Sequence, residues 1–212
     1  MKAGNIQLDT FRHFVETIVS GDSATAIGLL DASPRLAKEW AADGATRQAA
    51  KQNFFDKIRH YIYEGDTALH IAAAAYQPRL VEELIARGAD VRARNRRGAE
   101  PLHYAVDGGP GLPAWNPNAQ TRIIARLIRA GADPNAVDRS GVAPLHRAVR
   151  NRCAAAVSAL IDGGADPRAP NRNGSTPLLL ATQNTGRGGS GSAEATTQQK
   201  EILRLLIEHG AT

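Results

Sequence analysis

Patterns that mark secreted, membrane-spanning or disulfide-stabilised proteins are missing from this chain of 212 residues. It has one cysteine, Cys153, so an internal disulfide is excluded and nothing argues for secretion. No apolar run approaches the roughly 18–20 residues needed to span a bilayer. Residues 1–20 also lack the basic-then-apolar layout of a signal peptide. We therefore expect a cytoplasmic protein.

Catalytic signatures are missing as well. The sequence contains no H-E-x-x-H, C-x-x-C or G-x-S-x-G motif. The glycine-rich stretch 186–191 lacks the lysine of a phosphate-binding loop, and it predicts a flexible loop. Cys153 stands close to Arg150 and Arg152, and such neighbours can lower a thiol pKa, but its alanine-rich surroundings favour an inert, buried thiol. We expect no enzyme activity, cofactor or metal.

The chain does contain an internal repeat. A hexapeptide of the approximate form G-x-x-P-L-H occurs four times, and each copy is followed by an apolar helical pattern that ends in Gly-Ala-Asp or a variant. Two of the steps between copies are 33 residues long. The copies begin at Gly65, Gly98, Gly141 and Gly174.

Each copy predicts a helix, a turn and a second helix. Thr67 and Thr176 stand where a helix N-cap needs a side-chain oxygen, and proline follows this position in three copies because it suits the first helical turn. Glu100 and Ala143 replace the threonine in the middle copies, where we expect weaker caps. The glycine of each Gly-Ala-Asp predicts a left-handed C-cap.

The 33-residue period with its T-P-L-H core resembles the ankyrin repeat. The resemblance implies an all-α solenoid of stacked helix-turn-helix units with short β-hairpin fingers. Its repeats span 65–97, 98–140, 141–173 and 174–212 and pack as one continuous domain. In such units the histidine ties the hairpin to its neighbours by hydrogen bonds, which is the role expected for His70, His103 and His146. Because they lie a repeat or more apart, they cannot share one metal at about 2.0–2.1 Å.

Stacked repeats need caps, because a single repeat cannot bury its own apolar face. Residues 1–64 predict a helical N-terminal cap, in which 11–44 is similar to a degenerate ankyrin repeat whose hairpin has been lost. Residues 46–63 predict a third helix. At the other end no polar capping repeat follows the final Gly-Ala-Thr. A polar outer face, a truncated chain or a covering surface each explains this, and self-association through the last repeat stays open.

Two repeats carry insertions between their helices, at 107–119 and 184–198. Insertions at equivalent positions project from one edge of a solenoid. The first is stiffened by prolines and contains Trp115, which either packs the loop against the helices or anchors a partner. The second is rich in glycine, serine and threonine, and it predicts a mobile loop outside the packed helices.

Arginine is concentrated in the fingers. Segments 91–98, 134–141 and 167–174 carry charges of +4, 0 and +2, compared with +5 for the whole chain. Matching finger positions place Arg96, Arg139 and Arg172 in a row, and the resemblance implies that Arg150 and Asn151 lie beside it on the concave face. The row is either a solvated surface or a binding surface. The candidate partner-binding residues are Arg96, Arg97, Arg139, Arg150, Asn151, Arg172 and Trp115.

Ankyrin-like proteins are binding scaffolds, so the resemblance implies a non-catalytic chain that binds a protein partner through its fingers and inner helices. The arginine row predicts an acidic patch on that partner. The alternative is a nucleic acid or another polyanion. We disfavour it because the net charge is modest and no aromatic residues interleave the finger arginines. The bias towards alanine and arginine would suit a bacterial source with a GC-rich genome.

Overall fold

The computed structural model describes residues 2–183 and 192–211, with side chains from Thr10 onward. No helix in this part of the chain is both long and apolar enough to cross a membrane. In chain order the helices and strands are α1 (Lys2–Ser20), α2 (Ser23–Ala32), β1 (Phe54–Phe55), β2 (His60–Tyr61), α3 (Ala68–Ala74), α4 (Pro78–Ala86), α5 (Pro101–Ala105), α6 (Pro117–Arg129), α7 (Pro144–Arg150), α8 (Ala154–Asp162), α9 (Pro177–Thr182) and α10 (Ala193–Glu208). Short 3₁₀ turns lie at Pro34–Ala37 and Lys51–Asn53.

The helices form two layers. The odd-numbered helices α1 to α9 pack each against the next as an inner layer, and the even-numbered helices α2 to α10 do the same as an outer layer. The repeat leucines Leu69, Leu102 and Leu145 are buried in a single hydrophobic core that extends from the first helix pair to the last. This arrangement confirms the all-α solenoid that the repeat predicts.

The repeated histidines complete the helix starts. In three repeats, the residue that directly precedes the inner helix donates its backbone N–H to Nδ1 of the histidine three residues later, at 3.1–3.2 Å. Nε2 of His70 and of His103 then carries the proton and donates to a carbonyl of the next finger at 3.1 Å. Burial lowers the pKa of His103 to about 4, so the ring is neutral. In the fourth repeat, which lacks the histidine, the Thr176 hydroxyl caps α9 by accepting from Leu179 at 3.2 Å.

The fingers are tight turns rather than short β-hairpins. Two backbone hydrogen bonds close each of them, as from Asn95 N–H to Ala99 C=O at 3.1 Å and from Gly98 N–H to Asn95 C=O at 2.7 Å. The side chains of Asn95, Asp138 and Asn171 each accept two further backbone N–H groups of the same turn, at 2.8–3.1 Å. These side-chain oxygens take the place of a strand ladder, because a short polar side chain can bond its own turn.

The N-terminal unit differs from its prediction. Helices α1 and α2 pair as expected, and Phe14 and Ile18 are fully buried. The third helix expected over 46–63 is wrong, since β1 and β2 pair there as an antiparallel hairpin with Phe54 opposite Tyr61. Aromatic residues favour strands, and Arg59 turns the chain with a φ of 52°. The unit therefore contains a hairpin, which follows the segment 11–44 that we expected to have lost one.

The two insertions also have different outcomes. The first forms a loop between α5 and α6 as predicted, except that its last three residues, 117–119, are the first turn of α6. Within the second, residues 184–191 lie outside the described part, whereas Ala193 begins α10, so the prediction that residues 193–198 form a loop is wrong. Ser192 caps this helix, and Gln198 accepts the N–H of Ala154 at 2.9 Å. These residues are therefore part of the packed stack.

Candidate functional site

A groove of about 420 Å³ lies between the fingers and the inner helices, with the cap hairpin at one end. The hairpin contributes residues 59–61, and Tyr63 follows it. The fingers contribute Arg97 and Ser140, and the inner helices contribute Tyr104 and Arg147. The groove therefore joins three parts of the chain that are far apart in sequence.

A buried carboxylate fixes the positions of the residues that form the floor of the groove. Asp66 is fully buried and accepts hydrogen bonds from the Tyr104 hydroxyl and from Asn95 Nδ2, both at 2.8 Å, and from the Tyr63 backbone N–H at 2.7 Å. Burial and the negative charge of Asp66 raise the pKa of Tyr104 well above its usual value. Tyr104 is consequently a permanent donor, and the finger, the helix and the hairpin are held in one fixed arrangement.

Above this floor, Arg147 joins two aspartates. Its guanidinium lies 3.1 Å from Asp107 and 2.9 Å from Asp138. Burial raises the pKa of Asp107, but Arg147 and His60 outweigh it and leave this pKa below its usual value. Asp107 also accepts from His60 Nε2 at 2.9 Å. Four arginines and two aspartates line the groove, and both aspartates are engaged by Arg147.

His60 is held between two acceptors. Its Nε2 faces the Asp107 carboxylate, and its Nδ1 lies 2.6 Å from the backbone carbonyl of Tyr61. Because neither partner can donate, both ring nitrogens must carry protons to satisfy this geometry. Burial lowers the pKa of His60, but Asp107 outweighs burial and leaves the pKa above its usual value. The imidazolium ties the cap hairpin to the repeat stack.

The structure brings three of the predicted site residues together. Arg97, Arg150 and Asn151 all line the groove. Asn151 has a structural bond as well, since its Nδ2 donates to the Val106 carbonyl at 2.9 Å. Within the described part of the chain, neither Arg97 nor Arg150 has a carboxylate partner within ion-pair distance. Both cations are therefore available to a ligand.

The finger row lies beside the groove rather than in it. Arg139 and Arg172 occupy equivalent positions, each against the glycine of the preceding finger, and both are exposed. Arg96 takes the same backbone position, but its side chain is half-buried and its guanidinium donates to the Ala45 carbonyl of the cap. Arg96 therefore differs from the other two arginines of the row, because the cap lies next to the first finger.

Aromatic residues adjoin the arginines after all. The Arg97 guanidinium lies 5.1 Å from the centre of the Tyr63 ring, and Tyr61 is 38% exposed nearby. Sequence reasoning missed these residues because it interpreted their segment as a helix. The two aromatic pairs of that segment, at 54–55 and at positions 61 and 63, were the available strand signal.

Trp115 lies in a neighbouring pocket and not in the groove. The ring is half-buried against the hydrophobic core, and its Nε1 donates to Gln120 Oε1 at 3.2 Å. The same oxygen accepts from Cys153 Sγ at 2.8 Å. Burial raises the pKa of Cys153, and its arginine neighbours do not lower it, because Arg152 donates to backbone carbonyls of the next repeat. This thiol is therefore unsuited to nucleophilic chemistry.

The geometry of two-layered repeats agrees with comparisons to known proteins. The family model described as "Ankyrin repeats (3 copies)" matches residues 39–111 and 114–212. The chain belongs to the ankyrin repeat family. Ankyrin repeats are in general protein–protein interaction modules. Within the described residues no cluster of three or more metal-ligating side chains is present.

Two curated relatives match a shorter part of this ankyrin chain. A human protein named ankyrin repeat and SOCS box protein 6 is 43% identical over 68 residues, and its counterpart from Pongo abelii is 41% identical over 68 residues. Each match covers 32% of this chain and 15% of the relative. The chain thus matches only a small part of these proteins, and its bacterial origin stays a prediction.

Proposed function

We propose that this chain is a non-catalytic scaffold in the cytoplasm that binds an acidic segment of a protein partner in the groove. The observation that carries the proposal is the charge of the lining. Both groove aspartates are already bonded to Arg147, whereas Arg97 and Arg150 face the groove without a carboxylate partner among the described residues. An incoming carboxylate would meet cations with no competing internal anion.

The shape of the site supports the same function. The floor is fixed by the Asp66 network, so the groove is formed before a ligand arrives and less ordering entropy is lost on binding. Arg139 and Arg172 extend the positive surface along the next fingers. Such an extended row speeds association with an acidic partner and makes the association sensitive to salt.

The test compares two charge reversals of equal size. The groove variant Arg97→Glu/Arg150→Glu should lose the proteins that wild type retains from a lysate. The control variant Arg122→Glu/Arg129→Glu changes two arginines exposed on the outer helix α6 and should retain them. All three proteins should melt alike. Equal retention by wild type and the groove variant would contradict the proposal.

Polyanion binding is a second candidate, and one observation favours it. Arg97 is stacked on Tyr63 beside the partly exposed Tyr61, and such a pair of tyrosines could stack on bases. Retention on heparin or single-stranded DNA that falls steeply with salt, and that Tyr61→Ala weakens, would support this candidate. Retention on these polyanions that Tyr61→Ala leaves unchanged would show that charge alone holds them, without base stacking.

A further inference from the structure

A second pocket, of about 310 Å³, adjoins the groove at its hairpin end. It lies between the turn after α1, the cap hairpin, the turn between α3 and α4, and the loop of the first insertion. Arg59, His60, Asp107 and Gly108 line both the pocket and the groove. The two spaces are therefore neighbouring parts of one surface. The cap hairpin and the first insertion, which are both additions to a plain repeat, form its walls.

The polar groups of this pocket are turned to internal partners. The Tyr76 hydroxyl donates to the Asp107 carbonyl at 2.5 Å, Gln77 Nε2 donates to the Ile18 carbonyl at 2.5 Å, and Lys57 Nζ donates to the Ser20 carbonyl at 2.9 Å. What remains to face a ligand is mainly apolar. The apolar lining consists of Val19, Ile58, Ala74, Ala75, Leu112, Ala114 and Trp115.

The chemistry of the rim is different. Lys57 and Arg59 are exposed at the mouth, and the ion pair of Arg59 with Asp56 is loose, at 3.7 Å between two exposed side chains. Arg97 and Arg150 follow in the adjoining groove. A ligand that fills both spaces thus needs an apolar group at one end and negative charges beside it. A protein segment with acidic residues around one bulky apolar residue meets this requirement.

We infer that the pocket holds a bulky apolar side chain, such as leucine, phenylalanine or tryptophan, of an acidic peptide that lies in the groove. This inference rests on the proposed function and specifies the partner sequence. The pocket volume is at the lower limit of ligand sites, which span roughly 300–1,000 Å³, so it suits one side chain better than a larger cofactor. A buried apolar anchor within a charged rim is the arrangement in which a few residues dominate binding.

The experiment is a selection of short random peptides displayed on phage against the full chain and three variants. Ala114→Phe places a ring at the exposed edge of the pocket, and Ala155→Phe makes the same change on the outer helix α8 as its control. Arg97→Glu/Arg150→Glu removes the charges of the groove. Wild type and the control should enrich peptides with acidic residues and one bulky apolar residue at a fixed spacing from them.

The variants separate the inference about the pocket from the proposed function of the groove. With Ala114→Phe, enrichment of acidic residues should persist while the fixed apolar position is lost. A synthetic wild-type-selected peptide should bind this variant at least about tenfold more weakly, as loss of an apolar anchor predicts. Acidic enrichment without any apolar position on wild type would overturn the inference and leave the proposed function standing. No acidic enrichment on wild type would overturn both.

Tryptophan fluorescence measures directly whether the peptide occupies the pocket. The chain has two tryptophans, so Trp40→Phe leaves Trp115 in the pocket wall as the only tryptophan. The selected peptide should shift the Trp115 emission to saturation, and the same peptide with alanine at the apolar position should not. Binding of the selected peptide without any change in Trp115 emission would place the apolar residue elsewhere and contradict the inference.

Discussion

Replacing His60 with glutamine should change how stability depends on pH. The imidazolium of His60 donates to Asp107 and to the Tyr61 carbonyl, and its pKa is raised in the folded protein. An unfolded histidine has a pKa near 6.5. Above this pH the folded chain binds more protons than the unfolded chain, so the contribution of His60 falls as pH rises. The stability that His60 contributes is fully present below about pH 6.5, and it is lost as the pH rises through the raised pKa of the folded state.

The size of the effect follows from the contacts. His60 is mostly buried, with 14% of its side chain exposed, and hydrogen bonds to charged groups contribute about 1.5–3 kcal/mol. For a chain of this length, each kcal/mol moves the melting temperature by about 2–4 °C. When pH rises from 6.5 to well above the raised pKa, wild type should therefore lose melting temperature relative to His60→Gln, by at most about 12 °C. The amide side chain of the variant does not titrate in this range.

Other histidines do not obscure this measurement. The pKa values of His70, His103 and His146 are lowered by burial, so their effects appear only as pH falls below about 6.5. The assay is thermal unfolding at several pH values, together with amide exchange at Ile62, whose N–H donates to the Asn53 carbonyl across the hairpin. Parallel pH profiles for wild type and His60→Gln in both measurements would refute the reasoning.

Three further substitutions test the packing. Leu102→Ala, at a fully buried repeat leucine, should cost about 2–5 kcal/mol in urea unfolding, and a cost below 1 kcal/mol would contradict its place in the core. Gly109→Ala should cost about 1–3 kcal/mol, because the new Cβ would lie 1.9 Å from the Asn151 carbonyl oxygen; unchanged stability would show that the insertion loop shifts freely. Arg152→Met should cost about 1.5–3 kcal/mol, because the buried guanidinium donates to the Ala181 carbonyl at 3.0 Å; a more stable variant would contradict this.

The repeat stack was predictable from sequence because each signal recurs. The leucine and the closing glycine recur at equivalent positions in all four copies and the histidine in three, so each copy supports the assignment of the others. The cap has only one copy of its pattern. Its hairpin depends on contacts far away in sequence, such as the bridge between Trp40 and Thr67 and the salt bridge between His60 and Asp107. Local propensity over 46–63 did not contain this information.

The same limit applies to the candidate site. Arg97 and Arg150 could be placed beside the groove because repeat register fixes their positions. The hairpin end of the groove could not be predicted, because its location depends on how the cap packs against the first finger. Counting charges in the fingers also could not show that Arg96 bonds to the cap, or that Arg147 forms ion pairs with two aspartates from different segments.

The most direct test of the account is a titration of the purified binding partner by calorimetry at low and physiological salt. The groove variant Arg97→Glu/Arg150→Glu should weaken binding at least about thirtyfold, as loss of a binding hot spot predicts, and should reduce the salt dependence. The outer-helix control Arg122→Glu/Arg129→Glu should leave the affinity within about threefold of wild type. Equal affinities and salt dependence for wild type and the groove variant would show that the partner binds elsewhere on the solenoid.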